Sequence, residues 1–151
     1  MKTHLVIPDI HAHYSHHNKR AEYLGKFIAD VKPDTVVNLG DSADLPSLAG
    51  FDKGKRSFHG KTYKADVDSH LDFQDRLWHY VKKTKKRLPE RHVLVGNHEY
   101  RIHRALEIQP ELEGTIGLAD LQLDRYYDTV TDYVGTTPGT LLVDGIFYAH
   151  Y

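Results

Sequence analysis

The sequence predicts an α/β fold built on a parallel sheet, and three observations support this prediction. Short apolar runs rich in β-branched residues, at 4–8, 35–39 and 92–95, are typical of buried strands. Residues 18–31 and 65–88 carry apolar side chains at three- and four-residue spacing, which is the pattern of an amphipathic helix. A strand, a helix and a second strand in this order form a parallel pair with a right-handed crossover.

The remaining segments predict a loop, two short helices and a final group of strands. Residues 42–64 contain glycine, proline, serine and lysine with little periodicity, so we expect a long surface loop with at most a helical turn. Short helices are predicted at 99–109 and 111–123, on either side of Pro110. Strands are then predicted at 129–134, 140–143 and 146–150, the last two forming a hairpin around the turn Asp144-Gly145.

Composition is that of a globular protein with one domain, which we expect to span residues 1–151. The formal net charge of −1 gives no general sign of a nucleic-acid or membrane surface. There are no cysteines, so a metal could be bound only through oxygen and imidazole nitrogen. No apolar run approaches the ~20 residues of a membrane span, and no signal-peptide pattern is present, so we expect no membrane partner. We expect a cytoplasmic protein, or one made in the cytoplasm of a host cell.

Three polar motifs follow the three predicted buried strands: DIHAH (9–13), GDSAD (40–44) and GNHEY (96–100). The carboxyl ends of parallel strands meet at one edge of a sheet, where open α/β sheets bind ligands. The motifs can therefore bring Asp, His and Asn side chains together, and this mixture of oxygen and nitrogen ligands suits divalent cations. Two cations about 3.5–4 Å apart lower the pKa of a bridging water and hold a phosphate for in-line attack.

Individual residues of the motifs have properties that suit such a pair of metals. Asp9 and His11 are separated by one residue, so just past a strand end both can bind one cation. Asp41 has two carboxylate oxygens and can bridge two cations, and Asn97 offers a neutral carbonyl oxygen. Each motif alone arises often by chance. All three in this order, each at a strand end, are strong evidence for a metal site.

The motifs resemble the signature of the calcineurin-like metallophosphoesterase superfamily, which runs D-x-H, G-D-x-x-D, G-N-H-[DE], a lone histidine after a strand, and G-H-x-H. The resemblance extends from residue 9 to residue 150, and the DIHAH opening and the FDKGKRSF loop are most similar to small phage-encoded members. It implies a calcineurin-like sandwich of β-sheets flanked by helices. It also implies a hydrolase in which a metal-bridged hydroxide attacks a phosphoester, in the first instance a phosphodiester.

The resemblance implies metal-binding roles for five residues. Asp9 and His11 are expected to bind the first metal, and Asp41 to bridge the two metals. Asn97 and His150 are expected to bind the second. Mn²⁺ is the first choice for both metals because the ligands are hard, with Fe²⁺, Zn²⁺ and Ni²⁺ as alternatives.

Further residues are candidates for catalysis and substrate binding. By resemblance, His98 is the general acid that protonates the leaving oxygen, and Asp44 orients it. His13 is a candidate to line the substrate cleft. Arg101 or Arg104 could meet a phosphate, although charge on a helix surface is the role that we expect.

Two departures from the family pattern affect the prediction. Leu45 and Pro46 stand where the phosphoprotein phosphatases have Arg-Gly, which argues against that branch. No G-H-x-H follows His150, so we expect the chain to lack the closing strands of the second sheet. The exposed edge that this leaves would pair with a second polypeptide or with another copy of the chain.

The substrate is left open by the sequence. In the basic segment 51–64, lysines and Arg56 alternate with Phe51, Phe58 and Tyr63, and could contact phosphates and stack bases. The alternative is a solvated loop whose aromatic side chains attach it to the body of the protein. Nucleic acid is therefore one candidate substrate, and a nucleotide pyrophosphohydrolase is a second enzymatic possibility. A third is a non-catalytic fragment, or half of an assembly, that keeps the fold and part of the metal binding.

Overall fold

The computed structural model describes residues 2–84 and 87–151, and its centre is a four-stranded parallel sheet. The strands lie side by side in chain order, and Val37 of the second strand pairs with Val6 of the first and His92 of the third. The predicted α/β fold with a parallel sheet is therefore confirmed. The strands are β1 (His4–Ile7), β2 (Thr35–Asn38), β3 (Glu90–Leu94) and β4 (Thr129–Thr131).

The helices bury their apolar faces in one core on one side of this sheet. Strands added in a single direction through right-handed crossovers place their connections on the same face, which explains the arrangement. Trp78, Ile102 and Leu123, from three different helices, belong to the same buried cluster as Val36 and Val93 of the sheet. No helix in the described ranges is both long and apolar enough to cross a membrane. The helices are α1 (Lys19–Val31), α2 (Tyr63–Thr84), α3 (Tyr100–Ile108) and α4 (Leu123–Tyr126).

An antiparallel hairpin of β5 (Thr140–Val143) and β6 (Ile146–Ala149) covers the opposite face of the sheet. Successive strand residues point to opposite faces, so the neighbours of Val36 and Val93 face the hairpin. Val37 and Leu94 accordingly form a second, smaller core with Val143 and Tyr148. The molecule is thus a sandwich whose middle layer ends in the loops that carry the polar motifs.

The hairpin turn has the conformation that its sequence predicts. Asp144 has φ 49° and Gly145 has φ 83°, so both central residues lie in the left-handed region that a two-residue type I′ turn requires. The turn brings β6 back along the sheet. As a result, His150, which follows β6, lies near the carboxyl ends of the parallel strands, where it contacts Leu39 and Asn97.

Most predicted elements are found, and one is wrong. The predicted helices at 18–31 and 99–109 are confirmed. The segment 42–64 is mainly irregular, with three 3₁₀ turns before α2 begins at Tyr63, but it is not a surface loop throughout, because most of residues 42–49 are buried. The long helix predicted at 65–88 runs from Tyr63 to Thr84, and positions 85 and 86 lie outside the described residues.

The predicted helix at 111–123 is absent. Two 3₁₀ turns, Pro110–Leu112 and Leu118–Leu121, precede the four residues of α4 instead. Gly114 has φ 79° and Gly117 is extended, with φ −171° and ψ 162°, so the backbone between the turns is not helical. Glycine favours such breaks because it loses more conformational freedom than other residues when a helix forms.

Candidate metal centre

The loops that follow β1, β2 and β3 meet at the carboxyl edge of the sheet. The first two loops run alongside each other, because the backbone N–H of His11 donates to the carbonyl of Asp41 at 2.8 Å. The N–H of Ala12 likewise donates to the carbonyl of Ser42 at 2.9 Å. The convergence of the motifs, expected from the strand pattern, is therefore present in the structure.

Two glycines allow this close approach. A Cβ atom on Gly96 would lie 2.2 Å from the backbone nitrogen of Asp41, and one on Gly40 would lie 2.7 Å from the nitrogen of Gly96. Both distances are shorter than any real contact, so a larger residue at either position would force the loops apart. Gly40 and Gly96, the glycines of the G-D and G-N motifs, are thus required for the loops to pack this closely.

Three of the predicted ligands have strained backbones. Asp9, His11 and Asp41 have φ values of 40°, 46° and 49°, in the left-handed region that non-glycine residues rarely occupy. Each such residue costs on the order of 1–3 kcal/mol and persists only where surrounding contacts hold it. Conformations of this kind cluster at functional sites, and here they coincide with the ends of β1 and β2.

Asp41 is at the centre of the site, and its two carboxylate oxygens face different groups. Oδ2 lies 3.7 Å from Nε2 of His11 and 3.9 Å from Nε2 of His98. Oδ1 lies 3.5 Å from Nε2 of His150 and accepts a hydrogen bond from the backbone N–H of His98 at 2.8 Å. The Asp41 side chain is only 6% exposed, so it lies buried between these two groups of histidines.

On the first side, His11, Asp41 and His98 form a compact group. Among the residues that the structure describes, these three each offer a ligand atom within 4.8 Å of the others. The rings of His11 and His98 meet edge to face, with centroids 4.5 Å apart. A carboxylate and two imidazoles are suitable ligands for a transition metal. His98 was predicted as a general acid and not as a metal ligand. It lies close enough to Asp41 and His11 to serve in either role.

On the second side, His150 lies against Asn97. Nδ1 of His150 is 2.8 Å from the carbonyl oxygen of Leu39, which can only accept, so this nitrogen carries the proton. In the neutral ring, Nε2 then presents a lone pair, and it lies 2.9 Å from Oδ1 of Asn97. The lone pair of His150 and the amide oxygen of Asn97 face the same space, where both could bind one divalent cation. These donor atoms therefore fit a metal.

Asp44 orients two histidines, although the sequence predicted only one. Its Oδ1 accepts a hydrogen bond from Nδ1 of His11 at 3.0 Å. The same oxygen lies 3.0 Å from Nδ1 of His98, which donates to the backbone carbonyl of Asp44. This arrangement directs Nε2 of His11 towards Asp41, as in the carboxylate–histidine pairs that support metal ligands. The bonds from His98 and then His11 hold the pKa of Asp44 well below its usual range, despite partial burial. His13 lies further out, with Nε2 3.8 Å from Oδ2 of Asp44.

His98 has the surroundings expected of a proton donor. Its Nδ1 is also 2.7 Å from the backbone carbonyl of Asp44, so that nitrogen carries a proton. Burial lowers the pKa of His98, but the bond to the Asp44 side chain and the charge of Asp41 outweigh burial and raise it above its usual value. The raised pKa brings the ring closer to protonation at Nε2, which in this structure accepts a hydrogen bond from the Arg101 guanidinium, a group that can only donate.

Arg101 also lies within the site. Its Nη2 is 2.9 Å from Nε2 of His98, and its Nη1 donates to the carbonyl of Asp44 at 2.8 Å. Of its two predicted roles, contact with the site is therefore the one that the structure favours over surface charge. Arg104 is exposed, one helical turn away, with its guanidinium 6.0 Å from the centre of the Tyr100 ring.

Asp9 stands apart from the compact group. It lies two residues past the end of β1, and its side chain is exposed. It is not one of the three described residues whose ligand atoms lie within 4.8 Å of each other. Its role as a metal ligand therefore remains a prediction, supported by its position and its strained backbone.

Glu99, to which sequence analysis assigned no role, connects the second and third loops. Its carboxylate accepts hydrogen bonds from the backbone N–H groups of Asp41, Ala43 and Gly96, at 2.8–3.0 Å, and from the hydroxyl of Ser42 at 3.1 Å. It is fully buried, and burial raises its pKa, although the bonds from Ala43 and Gly96 oppose this. The only sequence signal was its position directly after His98 in the third motif.

Comparison with known proteins agrees with this geometry. The sequence model of the calcineurin-like phosphoesterase family matches residues 3–150, and so covers nearly the whole chain. A search of curated proteins gave no match. The family match confirms the resemblance that the three motifs indicated, and with it a metal-dependent phosphoesterase fold.

Proposed function

We propose that this chain, which belongs to the calcineurin-like phosphoesterase family, hydrolyses phosphodiesters with two divalent cations, one on each side of Asp41. The observation that supports this most directly is the division of the Asp41 carboxylate. Its Oδ2 faces the His11 and His98 rings, and its Oδ1 faces His150. A carboxylate so placed can contact two cations at once.

The two cation sites use different ligands. His11 and Asp41 would hold the first, with Asp9, which follows β1, as a further ligand. Asp41, Asn97 and His150 would hold the second. When bound, such cations supply an activated water and neutralise charge on the phosphate. Mn²⁺ is our first choice, because the ligands are oxygens and imidazole nitrogens and none is sulfur.

The remaining side chains bind the phosphate and move the proton. Asp44 holds Nδ1 of His98 and so directs Nε2 towards the space beside Asp41. His98 donates its Nε2 proton to the leaving oxygen as a general acid, a role that typically contributes about 10²–10⁴-fold. Arg101, now 2.9 Å from that nitrogen, transfers its guanidinium contact to a phosphate oxygen when substrate enters.

Metal content and hydrolysis, measured together, test this proposal. The purified protein is stripped with a chelator, reloaded with Mn²⁺ and assayed for hydrolysis of bis-p-nitrophenyl phosphate. We expect two Mn²⁺ per chain, no hydrolysis after stripping, and a rate at least about a hundredfold lower for His98→Ala. His79→Ala, at an exposed histidine of α2, is the matched control and should leave the rate unchanged.

One result would contradict the proposal, and an additional one would favour the non-catalytic alternative. A reloaded protein whose rate equals that of His98→Ala and of buffer is not an enzyme for this ester. If it also binds one metal and associates with another polypeptide, the non-catalytic alternative is favoured. Light scattering on the same sample measures that association.

A further inference from the structure

A groove with a volume of about 490 Å³ lies between α3 and the 3₁₀ turns that follow β2. Three cationic side chains line it: Lys53, Arg101 and Arg104. Two aromatic rings, Phe51 and Phe58, line it as well. This is the segment in which the sequence alternates basic and aromatic residues, so the structure now shows which of them face the same space.

The side chains that line the groove carry positive charge and no negative charge. No carboxylate is among its lining residues, and within the described parts of the chain no ion pair is formed by Lys53, Arg101 or Arg104. The nearest acid in the loop, Asp52, is already occupied: it pairs with Lys61 and accepts a hydrogen bond from Ser57 at 2.9 Å. Lys53 and Arg104 therefore have no acidic partner, whereas Arg101 lies in the field of Asp44 and Asp41. The positive charge of the groove that remains attracts an anion.

The aromatic rings of the groove are accessible. Phe51 is 67% exposed, so it does not attach the loop to the body of the protein. The interpretation of this segment as a loop fixed by its aromatic side chains is therefore wrong for Phe51. Phe58 is half-buried beside it. Exposed rings next to cations form the kind of surface on which nucleic-acid bases stack, because every base has a flat π face.

The groove begins at the candidate metal centre. Arg101 lines the groove, and its Nη2 lies 2.9 Å from Nε2 of His98. The groove and the proposed general acid therefore share Arg101 as a neighbour. We propose that the groove binds a nucleotide unit of the substrate, with its phosphate on Arg101, Arg104 and Lys53 and its base against Phe51 and Phe58. This proposal rests on the proposed function, since the phosphate that Arg101 contacts is taken to be the scissile phosphate next to His98.

Calorimetric titration of the Mn²⁺-loaded protein with thymidine 5′-monophosphate and with inorganic phosphate tests the groove without requiring turnover. We expect the nucleotide to bind at least about tenfold more tightly than phosphate, since a stacked base contributes roughly that much or more. Phe51→Ala should lower nucleotide affinity about tenfold and leave phosphate affinity unchanged. Arg104→Gln should lower nucleotide affinity several-fold.

Matched controls separate the groove from general surface effects. Phe27→Ala removes a comparably exposed ring from α1, and Arg56→Gln removes a cation from the same loop but outside the groove. Neither should change either affinity. Equal affinity for nucleotide and phosphate in the wild type would overturn the proposal, as would equal effects of Phe51→Ala and Phe27→Ala.

The outcomes distinguish this proposal from the proposed function. Selective nucleotide binding without hydrolysis of any diester would retain the groove and refute the enzyme. Hydrolysis of bis-p-nitrophenyl phosphate without a preference for nucleotide over phosphate would support the enzyme and refute the nucleotide groove. The nucleotide unit could belong to a nucleic acid or to a dinucleotide. Comparing kcat/KM for a single-stranded oligonucleotide and for a dinucleoside polyphosphate distinguishes these two substrate classes. The substrate class that loses efficiency in Phe51→Ala is the one that uses the groove, and either result supports it.

Discussion

The two ends of the parallel sheet both carry acidic side chains, but they satisfy them differently. At the amino ends, three exposed or half-exposed aspartates each have a partner from a neighbouring segment. At the carboxyl ends, Asp41 and Glu99 are buried and accept hydrogen bonds mainly from backbone N–H groups. The pairs at the amino ends are Lys2–Asp144, Arg91–Asp128 and Thr3–Asp34.

This difference shows which end requires something from outside the chain. The amino end needs no further ligand. Its aspartates lie near solvent and either pair with Lys2 and Arg91 or accept hydrogen bonds from Thr3. The carboxyl end gathers carboxylates and imidazole lone pairs in a space where burial makes unpaired charge costly. Bound cations would balance it. Substitutions of the same type at the two ends should therefore have very different consequences.

Asp41→Asn should have the largest effect. We expect hydrolysis to fall by more than about a thousandfold, since loss of residues that only support metal ligands already costs ~10–100-fold. Metal content, measured by atomic emission, should fall below two ions per chain. Asp128→Asn makes the same change at the amino end, where Asp128 pairs with Arg91, and should leave hydrolysis and metal content unchanged. Equal rates for the two variants would contradict the comparison.

Glu99→Gln should destabilise the fold. An amide replaces one acceptor oxygen by a donor, so two of the four donors around this buried group lose their partner. We expect the free energy of unfolding to fall by about 4 kcal/mol, as charged hydrogen bonds contribute ~1.5–3 kcal/mol each. Urea denaturation measures it. Glu90→Gln, at the exposed amino end of β3, should change it by less than about 0.5 kcal/mol. A small effect at Glu99 would show that the loops do not depend on this connection.

His70 makes stability depend on pH. It is fully buried on α2 behind the second loop, and burial lowers its pKa from 6.5 to about 4. The folded state therefore favours the neutral ring. Its contribution to stability is complete above pH 6.5 and is lost as the pH falls from 6.5 to about 4. Over that interval we expect wild type to lose up to about 3 kcal/mol more than His70→Gln.

Urea denaturation at several pH values measures this difference. Because other groups titrate in the same interval, the relevant quantity is the difference between wild type and variant. His79→Gln alters an exposed histidine on the same helix and should follow wild type. Parallel curves for wild type and His70→Gln would show that His70 takes up its proton without cost.

Lys2→Gln should have the smallest effect. The pair of Lys2 with Asp144 spans 3.1 Å, but the lysine side chain is 56% exposed. Exposed ion pairs contribute little, so we expect the free energy of unfolding to stay close to that of wild type. The remaining difference should disappear in high salt. A loss comparable to that of Glu99→Gln would show that the amino end is not the solvated, self-sufficient region described above.

The sequence by itself determined the local elements and the edge at which the chemistry lies. Apolar runs ending in D-x-H, G-D and G-N-H placed His11, Asp41 and Asn97 at strand ends, and parallel strands leave no other arrangement than a shared edge. The Asp144-Gly145 turn was equally readable, because few residues adopt positive φ at two successive positions. The helix predicted at 111–123 was wrong because apolar spacing does not reveal where glycines interrupt the backbone.

Only the tertiary structure decided which distant residues touch. Asp44 supports both His11 and His98, Glu99 joins two loops some 57 positions apart in the chain, and Arg101 links the site to the groove. These contacts depend on side-chain directions and on loop packing at Gly96, where a single methyl group would separate the loops. Spacing along a chain carries no information on such distances, because they are set by how the layers pack and not by local preference.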